Sequence, residues 1–314
     1  MLNVDSFWEQ RMPKVLVVGS INMDLVVETG TFPRLGETLF GKTFATHAGG
    51  KGANQAVSAA RLGATVTMLG RVGSDAFGRE LKDGLAREGI DSHWVIETPE
   101  VSTGIAAITV CDSDNAIIVV PGANGWLSAT DLNSAESAFA EADVVLAQLE
   151  VPIATIEHAA ELAVRHGKPF VLNPAPAMRL TESLLSRCAL ITPNEYELTT
   201  ALGRTGVQWQ NLLSALPGRV VMTAAEDGAY FSERTGTIHH QPAFPVTPID
   251  TTGAGDTFNG ALVAFWSLGL AEAVRRGNAA AALSVTKPGA QGGMPTLAEL
   301  NAFMARNALV ESRA

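Results

Sequence analysis

Along the chain, short runs of β-branched residues alternate with stretches whose apolar positions recur every three or four residues. Residues 14–19 (KVLVVG) read as a buried strand that stops at a glycine. Residues 51–62 carry a helical pattern closed by Gly63, residues 65–69 a strand pattern, and residues 76–88 a second helical pattern closed by Gly89. Further strands are predicted at residues 143–148, 169–172, 189–192 and 220–223. The clearest helix covers residues 152–166. There Ile153, Ile156, Ala160, Ala163 and Val164 share a face, Pro152 suits the first turn and Gly167 the end. The last third, residues 254–305, is mostly helical in pattern.

This alternation implies right-handed crossovers and a largely parallel sheet covered on both faces. Residues 37–46 and 103–120 break it, being rich in β-formers with no helix between. They predict a small separate sheet acting as a lid or an interface, with an ordinary antiparallel edge extension as the alternative. There is no linker, low-complexity tract or internal repeat.

Composition narrows the possibilities. With 314 residues, 46% hydrophobic, the chain can bury a sizeable core. Its formal net charge of −10 gives it no general attraction for nucleic acid or an anionic membrane, so any phosphorylated ligand needs a local site. The two cysteines, Cys111 and Cys188, lie far apart and form no CxxC, which fits inert thiols in a reducing cytoplasm. The leading residues lack a basic stretch followed by an apolar one, so no signal peptide is predicted. Residues 1–13 read as a disordered extension.

Three segments carry candidate chemistry. The first is DTTGAGDTFNG, residues 250–260, at a loop-to-helix junction. Glycines there let backbone N–H groups converge, and the helix N-terminus adds partial positive charge, so Gly253, Ala254 and Gly255 can form an anion hole. Asp256, in the first helical turn, could accept a proton from an attacking hydroxyl; alone it could equally be a capping acid. The second is GGKGAN, residues 49–54, where Lys51 and Asn54 share the first-turn surface of a helix. The third is GSINMD, residues 19–24, directly after the first strand, where Asn22 and Asp24 alternate with apolar neighbours and could bind sugar hydroxyls. Residues 36–43 (GETLFGKT) fit the P-loop expression, but no buried strand precedes them and no helix has room to follow, so no P-loop is expected. His239 and His240 have no partner at metal-ligand spacing and read as a surface strand.

Taken in order, these segments resemble the PfkB/ribokinase family of carbohydrate kinases, from about residue 14 to about residue 303. Residues 49–54 look like the family's N-terminal signature and DTTGAGDTF like its C-terminal one. NPAPA (173–177), TPNE (192–195) and KPGA (287–290) also fall where the family carries similar words. The resemblance implies an α/β fold, a ribokinase-like three-layer sandwich with a mostly parallel central sheet and a small β-sheet lid. The kinase domain would span residues 14–305, with lid strands from about 25–47 and 103–120.

The resemblance also implies roles. Asn22, Asp24, Gly50, Lys51, Asn54 and Glu150 would hold the sugar, and Asp256 would be the base. Asn194 and Glu197 would lie near the nucleotide phosphates and Mg²⁺. Thr223, Ala225, Gly228, Gly255 and Asn278 would line the nucleotide pocket. Asp250, Thr252, Ser284, Lys287, Gly289 and Gly293 match a monovalent-cation site, usually for K⁺, several through backbone carbonyls. The implied partners are ATP and a small sugar, with a homodimer formed through the lid. The implied reaction is phosphorylation of D-ribose at O5. Fructose, deoxyribose or a nucleoside such as pseudouridine are the alternative acceptors, and a non-catalytic sugar-binding protein is the alternative class. This chain departs from the family pattern at Ala225, where glycine is usual, at the acidic Glu226 beside it, and at Gly293, where serine is frequent.

Overall fold

The computed structural model describes residues 13–111 and 114–311. The chain runs from β1 (Lys14–Val18) into β2 (Asn22–Glu28) and returns as β3 (Thr43–Gly49). Next come α1 (Lys51–Arg61), β4 (Thr65–Gly73), α2 (Ala76–Arg87), β5 (Asp91–Thr98), β6 (Gly104–Cys111) and β7 (Asp114–Val120). Two short helices, α3 (Ala129–Ser134) and α4 (Glu136–Glu141), lead to β8 (Val144–Ala147) and α5 (Ile153–Arg165). Then follow β9 (Phe170–Leu172), α6 (Glu182–Arg187), β10 (Leu190–Ile191), α7 (Glu195–Ala201) and α8 (Trp209–Ala215). The antiparallel strands β11 (Val221–Thr223), β12 (Ala229–Ser232) and β13 (Ile238–Gln241) precede four C-terminal helices: α9 (Ala254–Ala264), α10 (Leu270–Ser284), α11 (Ala290–Gly293) and α12 (Leu297–Glu311).

The central sheet has the strand order β10-β9-β8-β1-β4-β5, and every pair in it is parallel. Parallel bridges from Ile191 to Val220 and from Asn194 to Thr223 carry it on to β11. Strand β1 shows why this sheet is covered on both sides. Val15 and Val17 point into a core shared with α1, α9 and α10, whereas Leu16 and Val18 point into a second core with Phe139, Ile156 and Phe170. Each such buried aliphatic side chain contributes ~1.5–3 kcal/mol relative to exposure. A continuous apolar run is the expected signature of a strand buried on both faces.

The chain leaves β1 toward β4 on one side and comes back as β8 on the other. The gap at their carboxyl ends is a topological switch point, where open α/β sheets bind ligands. The loops after β1, β8, β9, β10 and β11 all end there, and they carry Ser20, Glu150, Asn173, Asn194 and Ala225. Helices α1 and α9 meet above this end. Gly260 sits where they touch, and a Cβ there would lie 2.4 Å from Ser58 Cβ. That close approach brings Asn54 and Gln55 of α1 onto Asp256 of α9.

The lid is a four-stranded sheet, β3-β2-β6-β7, with β2 and β6 parallel and the outer pairs antiparallel. It differs in detail from the sequence expectation. Strand formation begins only at Thr43, because Pro33, Gly36 and Gly41 interrupt the run before it, and Leu35 and Phe40 stand fully exposed. In return, β2 starts at Asn22, so the third sequence motif is itself the root of a lid strand. No helix follows residues 36–43, in agreement with the rejection of a P-loop, and His239 and His240 lie on β13. The expected disordered extension falls on residues 1–12, outside the described residues, while Pro13 is buried and accepts a hydrogen bond from the Thr65 N–H. Among the described residues no helix is long and apolar enough to cross a membrane. Burial pushes the Cys188 thiol up to about 12, against a smaller opposing pull from Arg219, which leaves it inert.

Candidate active site

Helix α9 begins at Gly253, whose left-handed φ of +75° few other residues would tolerate and whose absent Cβ would meet Ala290 at 2.9 Å. The N–H groups of Gly255 and Asp256 open the helix and have no carbonyl one turn back to bond. On one side of this first turn, Ala254, Gly255 and Phe258 line a cavity of about 460 Å³. On the other side, Asp256 faces α1 and the root of the lid.

The cavity gathers the residues expected to bind nucleotide: Thr223, Ala225, Gly228, Gly255 and Asn278 all line it. Apolar walls come from Phe244, Val246, Pro248 and Val285, which sequence reasoning missed because they lie in or after irregular segments. Asn278 donates through Nδ2 to the Gln241 carbonyl at 2.8 Å, which turns its Oδ1 into the acceptor available for a ligand. No lysine or arginine is in the lining, and Glu226 is.

Ala225 has φ +46°, in the left-handed region. A methyl-bearing residue there costs ~1–2 kcal/mol. The departure from glycine is thus visible as backbone strain in a loop lining this cavity. Ala225→Gly is expected to raise stability by ~0.5–1 kcal/mol, after the entropic cost of glycine, and to lower the KM for ATP. Thermal melting and initial-rate kinetics on one preparation check both.

Asp256 is almost fully buried. Its Oδ2 accepts from Asn54 Nδ2 at 3.0 Å and its Oδ1 from Gln55 Nε2 at 2.9 Å. Burial raises its pKa, while the Lys51 charge and the two amides pull the other way. Four carboxylates surround Lys51. Burial alone would lower its pKa, yet Asp256, Glu150, Glu197 and Asp24 together raise it, so it stays a cation. Asp24 is pushed up to about 6, first by burial and then by Glu150 and Asp256. Glu150 is fixed by Ser20 Oγ at 2.6 Å and by the Lys51 N–H at 3.0 Å. Gly50, at φ +87°, is the cap that lets α1 start here. Asn22 accepts at Oδ1 from Asn124 Nδ2 at 2.7 Å.

Asn124 also clamps the Ile21 backbone at both its N–H and its carbonyl. Sequence reasoning missed it, along with Gln55, Gln148 and Gln291. The only signal is a polar side chain in an otherwise buried setting, and burial is invisible before folding. Asn54 uses both ends of its amide within the protein, since its Oδ1 accepts from Gln291 Nε2 at 3.0 Å. Asn194 and Glu197 form a capping box on α7, each side chain taking the other's backbone N–H at 2.8 Å. Glu197 is raised by burial and lies within electrostatic reach of Lys51 and Asp256, so α7 faces both halves of the site.

The residues matched to a monovalent-cation site also converge. Asp250 accepts from the Thr252 N–H at 2.9 Å and the Gly289 N–H at 2.7 Å. Burial opposes ionisation, but these hydrogen bonds bring its carboxyl below the usual range. A Cβ on Gly293 would meet the Ser284 carbonyl at 2.2 Å, so serine has no room at position 293. The Lys287 side chain is instead ion-paired with Glu299 at the surface, leaving its backbone as the part that can face the loop.

Comparison with known proteins places this geometry. Residues 12–297 match the model of the pfkB family of carbohydrate kinases. A ribokinase from Haemophilus influenzae is 42% identical over 298 residues, covering 92% of this chain and 97% of that protein. A deoxyribokinase from Salmonella typhi is 36% identical over 304 residues, covering 93% and 99%. The structure of Arabidopsis thaliana ribokinase complexed with ribose and ATP superposes with a TM-score of 0.85 at 30% identity, covering 94% of this chain and 99% of that one. With a family match over nearly its whole length, the chain belongs to the pfkB family of carbohydrate kinases.

Proposed function

We propose that the chain is an ATP-dependent kinase that transfers the γ-phosphoryl group of ATP to O5 of D-ribose. One observation carries this reading: a buried carboxylate, Asp256, stands at the first turn of α9 between a nucleotide-sized cavity and a polar pocket holding Asn22, Asp24, Lys51 and Glu150. ATP would lie in the cavity with its terminal phosphate at the N–H groups of Gly255 and Asp256. The sugar would donate from its hydroxyls to Asp24 and accept from Lys51, with the Asn22 amide as a further polar partner. Asp256 accepts the hydroxyl proton as the new O–P bond forms, and its raised pKa suits it better to that task than an ordinary aspartate. Positioning and charge neutralisation supply most of the acceleration.

Two cations fit the residues present. Because the cavity lining holds no lysine or arginine, and no three His, Cys, Asp or Glu side chains group as a ligand set among the described residues, a divalent ion would be held mainly by the nucleotide itself. Asn194 and Glu197 would face Mg²⁺ there, and Mg²⁺ would neutralise charge on the phosphates. K⁺ would be held by Asp250 with backbone carbonyls of the loops at residues 250–252 and 284–293, supporting the anion hole through the contact of Ala290 with Gly253. The outer lid strand β7 is exposed along its length, with Ile117, Ile118, Val119 and Val120 bare, which fits a second copy packing on the lid. Sedimentation should then show a dimer that Ile118→Lys weakens. Buried thiols fit a cytoplasmic setting.

Initial rates with ATP, Mg²⁺ and a panel of sugars, with and without K⁺, test the assignment. Ribose should give the highest kcat/KM, with a sugar KM that worsens as pH falls through about 6 and Asp24 loses its charge. Asp24 protonates on that acid side because burial has raised its pKa, so the loss runs downward in pH. The deoxyribokinase relative makes deoxyribose the second acceptor to compare. No ADP release with any sugar would defeat the kinase assignment.

A further inference from the structure

Behind Asp256 lies a chain of buried amides outside the roles considered so far. Gln55 has no solvent exposure. Its Nε2 donates to Asp256 Oδ1 at 2.9 Å and to Asn173 Oδ1 at 3.0 Å, and its Oε1 accepts from Gln148 Nε2 at 2.6 Å. Asn173 in turn donates to the Thr192 carbonyl at 3.0 Å. We infer that Gln55 is a positioning residue for phosphoryl transfer: its amide, locked in one orientation by Gln148 and Asn173, aims the Asp256 carboxylate and keeps it ionised.

The orientation follows from the partners. A carboxylate can only accept, and Asn173 presents its oxygen because its nitrogen is committed to a carbonyl. Both hydrogens of Gln55 Nε2 are therefore used. Turning the amide over would set Oε1 against two acceptors and leave Gln148 facing a donor. Gln148 is wedged from behind: its Oε1 has no hydrogen-bond partner, and a Cβ on Gly19 would lie 2.0 Å from it. The strands β1, β8 and β9 thus fix the amide from the sheet, and α1 delivers it to α9. With Asn54 on Oδ2 and Gln55 on Oδ1, each carboxylate oxygen is held by one amide donor and keeps lone-pair capacity to accept a proton.

The charges facing Asp256 make this support necessary. Glu150 from the loop after β8, Asp24 from β2 and Glu197 from α7 all disfavour its ionisation; Lys51 from α1 favours it. Burial adds to the first group. The two amide donors act on the same side as Lys51.

This inference rests on the reading of Asp256 as the base, and the test separates the two. Gln55→Glu keeps the shape and puts a second carboxyl against Asp256, so the pair must share a proton. The expected result is a kcat lower by ~10²-fold, a sugar KM within about threefold of the parent, and the acid limb of the kcat–pH profile moved up by at least about one unit. Gln55→Met, close in shape but with neither donors nor a new charge, should also lower kcat and raise the limb, whereas a merely structural Gln55 would there lower the melting temperature without moving it. An unmoved limb with kcat near the parent value in the variant that folds overturns the inference. Asp256→Asn is measured alongside: its full activity would instead remove Asp256 as the base, whereas its inactivity beside a normal Gln55 variant would leave the base and remove only the positioning role.

Discussion

Asp256→Asn is expected to lower kcat by ~10²–10⁴-fold while the sugar still binds within a few-fold of its parent affinity. Asparagine matches aspartate in shape, so the packing of α9 against α1 at Gly260 is undisturbed. What disappears is the proposed acceptor for the hydroxyl proton, together with one of the two hydrogen bonds that Asn54 and Gln55 donate to it. Lys51 also loses one of its four carboxylate neighbours, but Glu150, Glu197 and Asp24 still hold it charged. Single-turnover transfer of labelled phosphate measures the first quantity, and calorimetric titration of the sugar measures the second. Turnover close to the parent's would mean that some other group takes the proton.

Gly255→Ala should move stability and activity in opposite directions. Position 255 is inside a helix, where alanine is favoured over glycine by ~1 kcal/mol. A Cβ there meets no protein atom within 4 Å. Nothing in the fold asks for glycine at this point, so the melting temperature should rise. The same methyl projects toward the cavity where the terminal phosphate would meet the helix N–H groups. Displacing a reacting group by about 1 Å can cost ~10²-fold, and that is the loss expected in kcat/KM for ATP. Thermal melting and steady-state kinetics provide the two readings. A variant both more stable and fully active would argue that no phosphate approaches Gly255.

Residues 250–260 and 49–54 were legible in the sequence for the same reason: a glycine cap followed at once by helical periodicity leaves a local mark. The central strands were legible too, because burial on both faces makes them continuous apolar runs. The edges were less so. Strand β5 (DSHWVIET) has only three consecutive apolar residues set between polar ones and was not anticipated, and the third sequence motif, read as a ligand-binding segment after the first strand, also begins a seven-residue strand. The support behind Asp256 was illegible. Gln55 and Asp256 are 201 positions apart, and Gln55 and Asn173 are 118 apart. A glutamine in a small-residue helix has no periodic signature of its own, and its meaning comes only from what the fold sets against it. The strain at Ala225 was half legible: the unusual residue could be seen, the positive φ that gives it consequence could not.

Strand β2 has one further implication. It leaves the core at Asn22, carries Asp24 one turn of the pleat later, and then becomes an inner strand of the lid, bonded to β3 on one edge and β6 on the other. Whatever grips Asp24 therefore grips the whole four-stranded flap. On the proposed reading the pentose would hydrogen-bond both Asp256 and that carboxylate. Water, as a rival nucleophile, would have no second hydroxyl with which to draw the flap toward the base. On that reading, wasteful hydrolysis of ATP would be discouraged by the acceptor's size as well as by its chemistry.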